Sequence, residues 1–141
     1  RQMCIRDRST KRHTTNSEFD VSKLETLPRV DIIYSHVDDD RIMADAAVAA
    51  GAKGIIHAGT GNGSIANPTM EGLKDAVAKG VVVVRSARVP NGATTVSLPM
   101  WTKAGFLESD TLNPQKARLL LQLALTKTQD PKEIQRMFDQ Y

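Results

Sequence analysis

The sequence predicts an α/β domain, and three observations carry that expectation. From residue 30 onward, short apolar runs alternate with helical patterns. Val81-Val82-Val83-Val84 has no polar face, which suits a parallel strand covered by helices on both sides. Asn67-Pro68, Asn113-Pro114 and Asp130-Pro131 each stand just ahead of a helical pattern, placing a capping side chain before a first-turn proline.

The elements follow in order. Val30-Asp31-Ile32-Ile33-Tyr34 is a short β-type run. Arg41 to Ala50 is alanine-rich, apolar at Ile42, Ala46, Ala49 and Ala50, and stops at Gly51, as a helix with a glycine cap does. Gly54 to Ala58 is a second strand. The helix capped by Asn67 is apolar at Met70, Leu73 and Val77 and ends at Gly80. Residues 81–84 form the third strand. Beyond Asn113, the residues Ala117, Leu120, Leu121 and Ala124 repeat at i, i+3, i+4 and i+7, one apolar stripe. Asp130 starts a last helix with Glu133 at the capping-box position and Ile134, Met137 and Phe138 on its buried face. The expected architecture is a small three-layer domain, Rossmann-like or flavodoxin-like, with three to four parallel strands and helices on both faces. Ligands of such sheets sit beyond the carboxyl ends of the strands, here residues 35–40, 59–66 and 85–99.

The chain has 141 residues, 40% hydrophobic and 25% charged, the mix of one globular domain. No apolar run approaches the roughly 20 residues that cross a membrane. Arg1 to Ser9 lacks any helical or strand period and reads as a non-native scar at 1–9, set aside from the fold. It contains Cys4, the only cysteine, so the remainder has no thiol chemistry. Its three arginines against one aspartate also account for most of the formal +3 charge, which falls to +1 without them. That is no argument for nucleic acid or a membrane as partner. Residues 10–28 are polar apart from Phe19, Val21, Leu24 and Leu27, and read as an inter-domain linker that packs on a domain spanning 29–141.

Four segments are chemically suggestive. Gly59-Thr60-Gly61-Asn62-Gly63-Ser64 follows a strand and precedes a helix, as a phosphate cradle would. It lacks the third glycine of a dinucleotide fingerprint, Ile65 and Ala66 delay the helix, and a tight connection explains it as well. Arg85 and Arg88 would bind a carboxylate bidentately. The structural alternative, pairing with carboxylates of the same protein or a partner subunit, is the stronger. Asp38-Asp39-Asp40 lacks the interleaved oxygens of a calcium loop and suits the positive end of the helix behind it. His57 is a conceivable general base, but a hydrogen-bonded interior histidine is the better expectation. His13 and His36 carry no pattern, and no metal-ligand cluster is spelled out.

Several stretches converge on one family. Phe19-Asp20-Val21-Ser22-Lys23-Leu24 with Leu27-Pro28, Ala58 to Gly63, Arg85-Ser86-Ala87-Arg88-Val89, Thr111-Leu112-Asn113-Pro114-Gln115-Lys116-Ala117-Arg118, and Gln135 to Phe138 with Tyr141 resemble, in order and spacing, the C-terminal domain of type II bacterial L-asparaginases. The resemblance covers residues 10–141, and the Leu112–Arg118 segment is its most specific part. It implies hydrolysis of L-asparagine to L-aspartate and ammonia, often with L-glutamine as a second substrate, without cofactor or metal. It also implies a periplasmic homotetramer whose catalytic threonines lie in an N-terminal domain, within Thr-Gly-Gly-Thr-Ile and His-Gly-Thr-Asp-Thr motifs. Neither motif occurs here, so no catalytic residue is assigned and the chain is expected to be inactive without that missing domain. Active sites of the family lie between subunits, and the glycine loop reaches into a neighbour's. The resemblance therefore assigns substrate binding to Ser64, supported by Asn62 and Gly63. Asn is common in the family where Ser64 stands; the shorter serine leaves room for one methylene, as in members with glutaminase activity. The family's substrate-contacting Glu has no counterpart, since Asn91 to Leu107 contains no acid. The alternative from another class is a non-catalytic Rossmann-like module holding an anion or nucleotide at 59–66; a cytoplasmic type I enzyme is the alternative inside the family.

Overall fold

A computed structural model describes residues 11–141. Four parallel strands, β1 (Val30–Tyr34), β2 (Gly54–Gly59), β3 (Val82–Ala87) and β4 (Leu107–Glu108), form one sheet in sequential order. The connections carry α1 (Ile42–Ala49), α2 (Asn67–Ala78) and α3 (Pro99–Lys103). Ala44, Ala47, Met70, Leu73 and Trp101 from these helices pack with Ile33, Ile55 and Val83 on one face. After β4 the chain crosses to the other face. There α4 (Pro114–Leu125) and α5 (Pro131–Gln140) bury Ala117, Leu120, Leu121, Ala124, Ile134, Met137 and Phe138 against Val30, Ile56, Val82, Val84 and Leu107. The three layers and both covered faces are those the sequence predicts.

The helix ends explain the alternation. Gly51 and Gly80 both sit at φ +82°, and the amide beyond each returns to the helix, Ala52 to the Ala47 carbonyl and Val81 to that of Ala76, both at 3.0 Å. Asn113 caps α4 by accepting from the Lys116 amide at 2.9 Å, and Asp130 caps α5 by accepting from that of Lys132 at 3.0 Å. Two expected caps are corrected. Met70 donates to the Ala66 carbonyl, so α2 begins one residue early; Ala66 takes the cap position and Asn67 makes no capping bond. Glu133 does not close a capping box. It accepts from Arg136 instead, and the Asp130 amide donates to Thr128 Oγ1.

The third strand starts at Val82 and runs on to Ala87, because pairing with β2 continues to Gly59 and β4 adds a second neighbour at Val84 and Arg85. Arg85 and Ser86 are thus strand residues, whereas the sequence places them in a loop. The segment before the domain is tied to α5 and to the turn after β4: the Arg12 amide donates to the Gln140 carbonyl, Glu18 pairs with Arg136 at 3.0 Å, and Lys11 pairs with Asp110 at 2.6 Å. Of its apolar cluster, Phe19 joins the α4–α5 side against Tyr141, but Val21, Leu24 and Leu27 stay exposed. The proposed scar at 1–9, with Cys4, lies outside the described residues. No described helix is long and apolar enough to cross a membrane.

Candidate functional site

At the carboxyl end of β2, the chain from Gly59 to Ser64 folds back on itself. The Ser64 amide donates to the Thr60 carbonyl at 2.8 Å. A methyl group at Gly59 would collide with the backbone of Gly63 and Ser64. At Gly63, φ of +71° and the Ser86 carbonyl 3.1 Å from a would-be Cβ both select glycine. These glycines therefore close the loop onto itself as a tight connection, and α2 begins only at Asn67. Asn62 locks the tip to the neighbouring loop: its Oδ1 accepts from the Thr95 amide at 2.8 Å, and its Nδ2 donates to Thr95 Oγ1 at 3.1 Å and to the Thr95 carbonyl at 3.3 Å. Gly63 is buried. Ser64 is exposed.

Arg85 sits beneath. Its side chain is 1% exposed, and it donates to the Asn62 carbonyl at 2.6 Å, the Gly63 carbonyl at 3.3 Å and Glu108 Oε1 at 3.2 Å. Its guanidinium lies 3.8 Å from the centre of the Trp101 ring. Burial pushes Arg85 down and Glu108 up from their ordinary pKa values, with each partner's charge opposing the shift. A guanidinium stays protonated regardless, so Arg85 remains a donor to Glu108 across that distance. The structural alternative for Arg85, pairing within its own protein, is what the fold contains. Arg88 is exposed and reaches the Ser35 carbonyl at 2.7 Å.

His57 is fully buried beside Arg85, but it is not hydrogen-bonded as expected. Neither ring nitrogen has a partner among the described residues; the nearest carboxylate oxygen, Asp39 Oδ2, lies 3.8 Å from Nε2. The strand fixes the ring in a packed layer that the loop bearing Asp39 approaches without reaching bonding distance. Desolvation pushes the imidazole down to about 4, opposed by the Asp39 charge and reinforced by Arg85. The ring is neutral at neutral pH, and it stands between the Asp39 carboxylate and the Arg85 guanidinium. In the acidic triplet, Asp40 Oδ1 accepts from the Ile42 amide at the start of α1, as the helix-terminus expectation holds. Asp39 is buried, which its sequence context does not signal. Among the described residues, no group of His, Cys, Asp and Glu is arranged to hold a metal ion.

A cavity of about 390 Å³ opens between the glycine loop and the turn that follows β3, lined by Gly61, Asn62, Ala87, Val89, Asn91 and Gly92. A larger hollow of about 510 Å³ lies at the β4 edge against α5, lined by Phe106, Glu108 and Gln135, away from the loop. The chemistry-bearing loop makes the smaller cavity the relevant one.

A four-stranded parallel sheet, covered by helices on both faces and carrying an exposed serine on a braced carboxyl-end loop, defines an open-sheet α/β domain. The sequence model of the Glutaminase/Asparaginase C-terminal domain matches residues 29–138, and this chain belongs to that family. It is 52% identical to L-asparaginase 2 of Bacillus subtilis over 132 residues, which is 94% of this chain and 35% of that protein. It is 48% identical over 131 residues to the Haemophilus influenzae protein named "Probable L-asparaginase periplasmic", covering 92% of this chain and 38% of that one. To the glutaminase-asparaginase of Pseudomonas fluorescens it is 44% identical over 133 residues, 93% of this chain and 37% of that protein. The chain thus spans a little over a third of the length of these curated relatives.

Proposed function

We propose that this chain is the C-terminal part of an L-asparaginase that hydrolyses L-asparagine to L-aspartate and ammonia, with L-glutamine as a second substrate. Its role is to complete a neighbouring subunit's active site and to hold subunits together. The observation that carries this is the braced glycine loop, which presents Ser64 at the surface while Asn62 and Gly63 fix its backbone. Ser64 is the substrate-facing residue; Asn62 and Gly63 are its supports. The bond-breaking threonines belong to an N-terminal domain, and the assembly is a homotetramer. A periplasmic location is supported by the name of the Haemophilus relative. No acid occurs from Ser86 to Leu107, and Glu108 is engaged with Arg85, so the counter-charge for the substrate ammonium comes from the N-terminal domain.

The test is the full-length protein with Ser64→Asn. Filling the space of one methylene should lower glutamine turnover relative to asparagine turnover by roughly tenfold, the lower end of what a methylene is worth. An unchanged ratio would remove Ser64 from the specificity argument. The 141 residues alone should release no ammonia from asparagine, and an upstream coding sequence without a Thr-Gly-Gly-Thr motif would overturn the assignment.

A further inference from the structure

The sequence has two Asn-Gly pairs, Asn62-Gly63 and Asn91-Gly92, and Asn62, Asn91 and Gly92 line the same cavity beside the glycine loop. An asparagine followed by glycine is open to attack on its own side chain, because glycine has no Cβ to block the approach of its amide nitrogen. The reaction needs an amide side chain that can swing over the next peptide and a peptide nitrogen with a proton to lose. The fold treats the two pairs differently.

Asn62 is held on both ends of its amide by Thr95, through three hydrogen bonds, and Gly63 is buried. Closing the ring there means breaking that clamp and moving a loop on which Arg85 also pulls. Asn91 is exposed at the cavity rim. Neither its side chain nor the Gly92 amide enters a hydrogen bond among the described residues. Asn67 and Asn113 precede prolines, whose nitrogens carry no proton to lose.

We infer that Asn91 is a self-modification site, converting to aspartate and isoaspartate, while Asn62 is protected by its clamp. In the step, the Gly92 amide nitrogen attacks Asn91 Cγ and a C–N bond forms. The Cγ–Nδ2 bond breaks, and the proton from the Gly92 nitrogen leaves with Nδ2 as ammonia. Water then opens the five-membered imide at either carbonyl. One opening gives aspartate; the other routes the backbone through the side chain and lengthens it by one carbon. Either product places a carboxylate on the rim of a cavity whose turn has no acid of its own. On the functional reading above, that charge would lie beside the loop that meets an ammonium-bearing substrate.

The experiment ages the full 141-residue chain in mildly alkaline buffer. It follows amide-to-acid conversion residue by residue by peptide mass spectrometry, with enzymatic methyl labelling of isoaspartate as a second readout. Loss of the amide at Asn91 should run about tenfold or more ahead of loss at Asn62, the effect expected from breaking two or more net hydrogen bonds before ring closure. In chain unfolded by urea the two sites should convert at similar rates, and Asn91→Gln should abolish the label at 91 without raising it at 62. Equal rates in the folded chain, or conversion of Asn62 first, would overturn the inference. So would an Asn91 that stays intact while the unfolded chain converts. None of these readouts depends on asparagine turnover, so they stand apart from the functional proposal.

Discussion

Two rows of side chains cross the sheet one residue apart, on opposite faces, and they follow different rules. Ile32, Ile56, Val84 and Leu107 lie in register across the four strands and face α4 and α5. The next row, Ile33, His57, Arg85 and Glu108, faces α1, α2 and α3. The first row is all hydrocarbon. The second carries an unbonded imidazole, a buried guanidinium and a half-buried carboxylate, with Asp39 closing its end. Apolar burial on the first face is non-directional and needs only shape. The second face holds charge at a cost in desolvation, and in return its arginine reaches two successive carbonyls of the glycine loop. One face stabilises the domain; the other positions the loop.

The largest expected effect breaks the polar row at its centre. Arg85→Met keeps a stem against Trp101 but removes every donor to Asn62, Gly63 and Glu108. Deleting one partner of a buried ion pair costs about 3–5 kcal/mol, and Glu108's partial access to water puts the value at the lower end. Urea unfolding measures the total. Hydrogen exchange tells where it falls: the Ser64 and Thr95 amides, both bonded within the loop system, should lose more protection than the strand amides. An even loss across the sheet would mean that Arg85 braces nothing in particular.

The matching change on the apolar face is Ile56→Ala, at a fully buried position one residue from His57. It should cost about 3 kcal/mol through lost transfer energy and the cavity left behind. Here the even loss is the expected result, with Ser64 and Thr95 no more exposed than their neighbours. If this variant loosened the glycine loop selectively, the division of labour between the faces would fail.

The apolar row was legible in the sequence as far as β3, and the polar row was not. Runs such as Val81–Val84, the stripe Ala117, Leu120, Leu121 and Ala124, and the Asn113 and Asp130 caps each announce themselves within a few neighbouring residues, because helix and strand periods are local. Arg85 does not. A charge at the end of an apolar run reads as the start of a loop, and its partners are the Asn62 carbonyl and Glu108, each 23 residues away in sequence. The two-residue β4 and five-residue α3 are too short to show a period, so the neighbours that bury Arg85 were invisible as well. The loop residues Ser64, Asn62 and Gly63 came from resemblance and glycine spacing. The clamp from Asn62 to Thr95 came only from the fold. His57 shows the same limit from the other side: the strand predicts burial, but whether a partner waits for the ring depends on how closely the Asp39 loop approaches.

That unbonded imidazole supplies the mildest test. Its folded pKa, about 4, lies below the ordinary value of 6.5, so on acidification the unfolded chain takes up the proton first. Stability from this group is therefore complete above about pH 6.5 and falls as pH drops toward 4, by an amount on the order of 2–3 kcal/mol. His57→Leu removes the titration. At neutral pH the variant should unfold within about 1 kcal/mol of the parent, because the ring makes no hydrogen bond there that leucine would forfeit. Between pH 6.5 and 4 the two unfolding curves should cross, the parent losing stability that the variant keeps. Parallel curves through that window would mean that the imidazole is bonded in solution and that the polar row is tighter than its distances indicate. A crossing leaves Arg85 as the row's working member, with His57 a neutral spacer between it and Asp39.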